Sequence, residues 1–592
     1  MTVNGWIQIG FYVAVLTALT PLLGHYMARV YTGERVLLTP IIAPAERVLY
    51  RAIGARTEDG QDWRSYARSV LVFSALSWLL LYLILRTQSI QPFNPEDFGS
   101  APWDVSFNTT SSFVSNTNWQ FYGGETTRSY FSQMVGLAVQ NFLSAAVGMA
   151  VLVAVIRGII SRGGASQRGS EDLGNFWVDL TRSLLYILLP LSILGALFLV
   201  SQGVVQTLDG YLDVTTLAGG QQGIAVGPAA SQVVIKQLGT NGGGFFNVNS
   251  AMPFENPTAL SNFVEVLFIL LIPAALTATF GRMVGSARQG WAIFATMMVL
   301  LVAGMGVSYA GEQAGSPAQE AAGISATSDG SDTTGGNLEG KEQRFGIASS
   351  TEWAAITTAA SNGSVNSALD SYTGVGGAVP LVNMLTGEVI FGGVGSGLYG
   401  MLLFVLLGVF IAGLMVGRTP EYLGKKIEAK EIKLVMIGTL AVPLLVLFFT
   451  SVAISTKWGA PSIYNNGPQG FSETLYAYGS QANNNGSAFA GFTGFLQPNA
   501  PGNVGSFGIT FADLLGGFAM LIGRFVPMLA ALAVAGSLAG KRIAPAGPGT
   551  LRTDNGTFVL LLIFVIVVVA ALTFFPALLL GPIGQGLTER LF

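Results

Sequence analysis

Long apolar runs alternate with polar connections along the whole of this 592-residue chain. Ten of the runs are long enough to cross the hydrocarbon core of a bilayer as helices, which takes about 20 residues. We therefore predict an all-α polytopic membrane protein with ten transmembrane helices. The predicted spans are 5–28, 69–86, 133–156, 183–201, 261–281, 291–310, 379–417, 434–454, 508–538 and 557–580.

Four short polar segments separate spans 2 and 3, 4 and 5, 6 and 7, and 8 and 9. Their asparagines, the second residue of each segment, are 123, 121 and 123 residues apart. Spacing this regular indicates one unit duplicated to four. We predict four pseudo-repeats of helix, pore loop and helix around a central pore, with one extra helix at each end. The polar segments are Thr117-Asn118-Trp119, Thr240-Asn241-Gly242, Ser361-Asn362-Gly363 and Asn484-Asn485-Gly486.

These repeats predict a division of the chain into six parts. They are a first extra helix with a cytoplasmic linker (1–68), repeat 1 (69–157), repeat 2 (183–282), repeat 3 (291–418), repeat 4 (434–540) and a last extra helix (557–592). Within repeat 3, residues 311–345 are rich in Gly, Ser, Thr and Ala. That composition predicts a solvated insertion resembling a flexible linker, to which we assign no function.

The basic residues set the predicted orientation. Of the 29 Lys and Arg, 21 fall in the five connections that do not carry a polar segment. Because cytoplasmic connections are enriched in Lys and Arg, this asymmetry places both termini and all four polar segments outside.

Each polar segment follows a stretch that predicts a helix too short to span the membrane. Such a helix directs the partial negative charge of its carboxyl end at the membrane centre, which favours a cation. Carbonyl oxygens of the following tripeptide can then replace the water shell of the ion. The tripeptides contain no Asp or Glu, which favours K⁺ over Ca²⁺ or Mg²⁺. The predicted short helices are 103–115, 228–239, 351–360 and 472–481.

Composition narrows the function further. Only 10% of the residues are charged, and the absence of cysteine excludes thiolate metal sites, disulfides and a cysteine nucleophile. The single histidine, His25, is interpreted as an interfacial or packed side chain. We find no Walker A sequence and no phosphorylation loop, so we expect no catalytic residue, no nucleotide binding and no cofactor besides a bound K⁺.

The seventh predicted span is twice as long as a crossing needs. Glycines interrupt it, and so many would break a helix. We predict two helical pieces joined by an intramembrane loop that acts as a gate; the alternative is a glycine-rich helix packed tightly on its neighbours. The glycines are Gly392, Gly393, Gly395, Gly397 and Gly400.

Three charged residues lie in or beside apolar segments. A buried arginine is costly, so Arg524 is predicted to face the axis below the tripeptides, where it would repel K⁺. The alternative is that Arg524 snorkels to the inner interface. Glu388 and Arg418 flank the broken span, and an ion pair between them is a further candidate.

Several long motifs resemble one family. They are S-N-T-N-W-Q (115–120), G-T-N-G-G-G-F-F-N (239–247), P-F-E-N-P-T (253–258), G-E-V-I-F-G-G-V-G-S-G-L-Y-G-M (387–401), G-R-T-P-E-Y-L-G-K-K-I (417–427) and N-N-N-G-S-A-F-A-G (483–491). Nearly the whole chain resembles the KdpA family, the potassium-binding subunits of the bacterial Kdp potassium-transporting ATPase, in the superfamily of potassium transporters.

The resemblance implies a subunit in the bacterial inner membrane that captures external K⁺ and passes it to the P-type ATPase subunit KdpB. KdpC is an implied accessory partner, and KdpF is left open; nucleic acid is not a partner. The implied filter support is Gln120, with Gly243 and Gly244 extending the second loop. The implied filter residues are Asn116, Thr117, Asn118, Thr240, Asn241, Gly242, Ser361, Asn362, Gly363, Asn484, Asn485 and Gly486.

Two other classes of function remain as alternatives. A stand-alone potassium channel or symporter of the Trk/Ktr type shares the four-unit plan. However, the ten spans and the family-specific motifs favour a pump subunit, and a filter with roughly one carbonyl layer suits tight capture better than fast conduction. An intramembrane enzyme is disfavoured, because the lone histidine is far in sequence from any candidate nucleophile.

Overall fold

The computed structural model describes residues 1–162, 172–326, 335–494, 511–545, 547 and 550–587. Ten helices in these residues are long and apolar enough to cross a membrane, which confirms the predicted number of spans. In chain order, the ten spans are Val3–Thr32, Trp63–Arg86, Ser132–Ile160, Phe176–Ser201, Ala259–Met283, Ala287–Ala321, Ser396–Met415, Ala429–Ser455, Phe511–Ala539 and Gly556–Gly586.

Four shorter helices, here called the pore helices, precede the polar loops. They are Trp103–Val114, Ala229–Leu238, Gly346–Ala359 and Gly467–Asn483. The third and fourth begin about five residues earlier than predicted. Because every crossing changes side and each pore helix lies between an even-numbered span and the next, all four enter from the same side.

The smaller elements lie between the spans. A helix at Thr39–Ile53 has no buried residue, and a one-turn helix covers Gly124–Thr127. Two antiparallel hairpins pair Leu212 with Ile224 and Glu421 with Lys426 at their open ends. Their strands are Leu212–Thr215 with Gln221–Ile224, and Glu421–Tyr422 with Lys425–Lys426. Short 3₁₀ turns cover Gln88–Ile90, Asn249–Ala251, Leu369–Ser371 and Ala460–Ser462.

Burial separates the spans that surround the centre from those that lie at the surface of the chain. Along their most apolar stretches, Ser132–Ile160 and Ala259–Met283 are 83% and 78% buried, whereas the first, eighth and tenth spans are each 28% buried. Small residues permit close packing of the central spans. A Cβ added to Gly158 of the third span would lie 2.5 Å from the Ala535 carbonyl oxygen of the ninth.

The predicted seventh span is two helices in the structure. The first is Gly374–Leu385 and the second, which is long enough to cross, is Ser396–Met415. Residues 386–395 join them without regular structure and contain Gly392, Gly393 and Gly395. Gly397 and Gly400 lie inside the second helix. Only three of the five glycines predicted to interrupt the span therefore lie in the loop.

The expectation of a solvated insertion is wrong for part of residues 311–345. Residues 327–334 lie outside the described residues, but the flanking chain is packed. Lys341 forms a buried ion pair with Glu312 at 2.7 Å, and Asn337 donates a hydrogen bond to the same carboxylate at 2.8 Å. Composition could not reveal these contacts, because they join the insertion to the end of the sixth span.

Candidate functional site

All four polar loops leave their pore helices with the same hydrogen bond. In each loop the N–H of one residue donates to the helix carbonyl five residues earlier, over 2.8–3.1 Å. This bond identifies the equivalent residues of the four repeats. They are Thr117, Asn241, Asn362 and Asn485, bonded to the carbonyl oxygens of Ser112, Lys236, Thr357 and Ser480.

The first loop therefore lies in a different register from the one that the asparagine spacing predicted. Thr117, not Asn118, is the counterpart of Asn241, and the interval between the first two loops is 124 residues (241 − 117). The asparagine spacing was wrong by one residue because the first loop carries Thr at the position where the other three carry Asn. The residues Asn116, Thr117 and Asn118, implied by the family motif, are in the observed register.

Backbone conformation repeats around the four loops. The residues before and after each equivalent position have positive φ angles, between 48° and 96°. Glycine adopts this region without strain, which explains its presence in the third position of three loops. In the first loop Asn118 occupies that position at φ 54°. The residues concerned are Asn116 and Asn118, Thr240 and Gly242, Ser361 and Gly363, and Asn484 and Gly486.

The four loops contact one another in a closed ring. Asn118 Nδ2 in the first loop donates to the Gly242 carbonyl of the second at 2.8 Å. The remaining neighbours approach so closely that a side chain would not fit between them. A Cβ added to Gly242 would lie 1.8 Å from the carbonyl oxygen of Asn362 in the third loop. A Cβ added to Gly363 would lie 2.2 Å from the Asn485 carbonyl oxygen, and one added to Gly486 would lie 2.0 Å from the Thr117 carbonyl oxygen. The loops thus share one centre.

Polar side chains of the ring are used to connect neighbouring loops. Asn116 Nδ2 donates to the Thr240 carbonyl at 2.9 Å, and Ser361 Oγ donates to the Asn484 carbonyl at 2.9 Å. Asn485 Nδ2 donates to the Thr357 carbonyl at 3.0 Å. These bonds hold the backbone in place, so the ring presents neutral dipoles in fixed positions.

Gln120 supports the part of the second loop that follows the ring. Its Oε1 accepts from the Gly244 N–H at 2.9 Å, and its Nε2 donates to the Gly244 carbonyl at 3.1 Å. Gly243, between the ring and Gly244, has a φ of 65°. Gln120 therefore binds both the N–H and the carbonyl of one backbone residue in the neighbouring loop.

The loop that divides the broken span lies directly against the ring. Val394 N–H donates to Thr240 Oγ1 at 2.8 Å, and Gly392 N–H donates to the carbonyl of Ala359 at the end of the third pore helix, at 2.9 Å. A Cβ on Gly393 would lie 3.3 Å from the Ser361 Cβ. The loop at 386–395 therefore contacts the second and third polar loops.

Arg524 and Glu388 line a cavity that also reaches Asn484 of the ring. Both charged side chains are 4% exposed, so Arg524 does not snorkel to an interface. Arg524 Nη2 donates to the Ser144 carbonyl at 3.3 Å. The candidate ion pair of Glu388 with Arg418 is not formed among the described residues, because Arg418 is exposed beyond the end of the broken span while Glu388 faces the cavity.

A protein-family model described as the potassium-transporting ATPase A subunit, KdpA, matches residues 10–587. The chain belongs to this family. A KdpA relative from Methylobacterium nodulans is 56% identical over 587 residues, covering 99% of this chain and 98% of the relative. One from Sorangium cellulosum is 55% identical over 596 residues, covering 99% of both. Both are named potassium-transporting ATPase potassium-binding subunit.

A solved structure shares the fold of this KdpA chain. The crystal structure of the potassium transporter TrkH from Vibrio parahaemolyticus aligns with a TM-score of 0.50 over 89% of this chain and 96% of that one. The two sequences are 13% identical, so the similarity concerns the fold alone. The KdpA family membership favours a subunit of a transporting ATPase over a stand-alone transporter.

Sequence reasoning missed two buried carboxylates behind the ring of this KdpA chain. Glu255 pairs with Lys236 of the second pore helix, and both side chains are at most 1% exposed. Glu265 is fully buried in the fifth span. The signal was present for Glu265, since an acidic residue inside an apolar span is as unusual as Arg524. In the described residues no group of three His, Cys, Asp or Glu side chains is arranged to hold a metal ion.

Proposed function

We propose that this chain captures external K⁺ in the ring of four loops and delivers it to a P-type ATPase subunit that supplies the energy. The observation that carries the proposal is the closed ring of uncharged loops, with a pore helix ending at each. Four helix carboxyl ends directed at one centre supply roughly half a negative elementary charge each, which favours a cation. Backbone carbonyls fixed in position replace the water shell of a weakly hydrated monovalent ion.

The twelve residues of the three-residue loops are the proposed potassium-binding set, with Gln120, Gly243 and Gly244 as support. Rigid positions matter because a carbonyl cage discriminates between ions by the positions and number of its dipoles. The hydrogen bonds from Asn116 and Ser361 to neighbouring loops, and from Asn485 to the third pore helix, supply that rigidity.

The intramembrane loop at 386–395 is the proposed gate, and Arg524 the proposed barrier. A gate at this position acts on the ring directly, since Val394 is bonded to Thr240 and Gly392 to the third pore helix. A cationic side chain in the cavity that reaches the ring repels K⁺ more strongly than it would in water, because the surroundings are weakly polarisable. Both features oppose passive flow through the chain.

The proposed setting is the bacterial inner membrane, with both termini and the polar loops facing outwards. The relatives are named as subunits of a transporting ATPase, and their names support a complex of several chains. We propose KdpB as the ATP-hydrolysing partner and KdpC as an accessory partner, and KdpF is left open. In this division of labour the present chain binds and passes K⁺ and carries out no chemical step.

Reconstitution of the purified complex and of this chain alone tests the proposal. We expect the complex in proteoliposomes to accumulate K⁺ against a gradient when ATP is supplied, and to stop when ATP is withheld. We expect the chain alone to transport no K⁺ at a comparable rate under either condition. Rapid K⁺ flux through the isolated chain without ATP would instead support the Trk/Ktr-type alternative.

A further inference from the structure

A buried carboxylate, Glu265, lies behind the second and third filter loops. It is 0% exposed in the fifth span, Ala259–Met283. Within the described residues it takes part in no salt bridge, and its Oε1 has no hydrogen-bond partner. A carboxylate inside a membrane-spanning helix is costly, and such residues most often serve function.

Two side chains connect this carboxylate to the ring. Glu265 Oε2 accepts from Gln237 Nε2 at 3.0 Å and from Ser250 Oγ at 2.7 Å. Gln237 belongs to the second pore helix, and its Oε1 accepts from Ser364 Oγ at 2.8 Å. Ser364 in turn contacts Asn362 of the third filter loop, through its N–H at 2.9 Å and its hydroxyl at 2.5 Å from Asn362 Oδ1.

In its ionised form Glu265 sets the direction of its bond with Gln237, because a carboxylate accepts hydrogen bonds and cannot donate them. Gln237 must turn its Nε2 towards Glu265, which leaves its Oε1 facing Ser364. The single hydroxyl hydrogen of Ser364 then goes to Gln237, and Asn362 Oδ1 is held by the Ser364 N–H. Asn362 donates its Nδ2 to the Lys236 carbonyl at 3.2 Å. That same carbonyl accepts the N–H groups of Asn241 and Gly242 in the second loop. The hydrogen-bonded series therefore connects Glu265 with two filter loops.

In its ionised form Glu265 also adds negative charge behind a ring that contains no acid. Of the two carboxylates around the second pore helix, Glu255 is neutralised by its buried ion pair with Lys236. Glu265 has no such partner among the described residues. In a weakly polarisable interior, a negative charge attracts a cation over a longer range than in water.

We propose that Glu265 is a positioning residue that raises the K⁺ affinity of the ring. It acts through the hydrogen-bonded series Gln237, Ser364 and Asn362, and through its own negative charge. This inference rests on the proposed function and deepens it, since it assigns the affinity of the ring to a residue outside the loops.

The test replaces Glu265 by glutamine in the full complex and measures the K⁺ dependence of ATP-driven uptake. Glu265→Gln keeps the size of the side chain but removes its charge and lets it donate hydrogen bonds. We expect KM for K⁺ to rise about tenfold, equivalent to about 1.4 kcal/mol. We expect kcat to stay within twofold, and the ratio of KM values for Rb⁺ and K⁺ to change.

Glu352→Gln is the matched control. Glu352 is also a buried acid with one unpartnered oxygen, and it too accepts a hydrogen bond from a glutamine, Gln8. It lies on the third pore helix and its bond leads to the first span, away from the loops. We expect its KM to rise less than that of Glu265→Gln, because the hydrogen bond of Glu352 leads to the first span and not to the loops. The difference between the two variants isolates the part of the effect that Gln237, Ser364 and Asn362 transmit.

Two further variants keep the inference testable if Glu265→Gln does not assemble. Ser364→Ala breaks the series while leaving the charge, so we expect a smaller rise in KM. Glu265→Asp retains the charge, so we expect its KM for K⁺ to be closer to the wild-type value than that of Glu265→Gln.

A wild-type KM in Glu265→Gln, or an equal rise in Glu352→Gln, would overturn the inference and leave the proposed function intact. If the wild-type complex itself shows no saturable K⁺ dependence, the proposed function fails instead. The two failures are therefore distinguishable in one set of measurements.

Discussion

Gly242→Ala is the substitution for which the ring geometry makes the sharpest prediction. A Cβ at this position would lie 1.8 Å from the Asn362 carbonyl oxygen. Because a carbon and a carbonyl oxygen ordinarily approach no closer than about 3.3 Å, the carbonyl has to retreat by about 1.5 Å. A dipole displaced that far no longer points at the centre of the ring.

The expected magnitude follows from the loss of one preorganised dipole. Removing a single oriented donor from a site that stabilises developing charge costs about 2.7–4 kcal/mol, or about 100- to 1,000-fold. We therefore expect the KM for K⁺ uptake by the full complex to rise by about two orders of magnitude. The assay is the K⁺ dependence of ATP-driven uptake in proteoliposomes, with assembly of the complex checked by size-exclusion chromatography.

Gly54→Ala is the control for this substitution. Gly54 and Gly242 both have a φ of 69°, so alanine meets the same backbone strain at either position. No atom lies within 4 Å of a Cβ on Gly54, which caps an exposed helix far from the loops. A KM in Gly242→Ala within twofold of that in Gly54→Ala would refute the close packing of the second and third loops.

Two further predictions concern charged side chains. Arg524→Gln removes the cation from the cavity that reaches the ring, so we expect passive K⁺ leak through the complex without ATP, measurable as efflux from loaded proteoliposomes; efflux at the wild-type rate would contradict the barrier. Lys341→Met leaves Glu312 buried without its cation, although Asn337 and Thr373 still donate to it. We therefore expect the free energy of unfolding, measured by thermal unfolding, to fall by about 3 kcal/mol, near the lower end of the range for broken buried pairs. The control is Arg344→Met, which breaks an exposed pair and should lower the free energy of unfolding by less than about 1 kcal/mol.

The architecture could be predicted from the sequence because the signals for it are local. Runs of about 20 apolar residues identify the spans wherever they lie in the chain. The short helices before the polar loops were likewise visible, although the Gly467–Asn483 helix begins five residues before the predicted start. Caps and turns at these ends depend on tertiary contacts that a local pattern does not contain.

The contacts between neighbouring loops of the ring could not be predicted, because they join residues at least 120 positions apart. Spacing alone put Asn118 in register with Asn241, and the hydrogen bond from Thr117 to Ser112 was needed to correct it. The Glu388–Arg418 pair was wrong for a different reason: proximity to one broken span says nothing about which side of it each residue faces. Lys236 and Glu255 were missed because hydropathy records the type of each residue and not whether its charge is paired with another.

The most direct measurement of the central claim is the position of a bound monovalent cation in the intact complex. Crystals or frozen particles prepared with Rb⁺ or Tl⁺ in place of K⁺ would locate the ion by anomalous scattering or by its density. We expect a strong peak at the common centre of the four loops, within coordinating distance of carbonyl oxygens from all of them. A ring without a peak, together with a cation bound by carboxylates elsewhere in this chain, would contradict the proposed binding site.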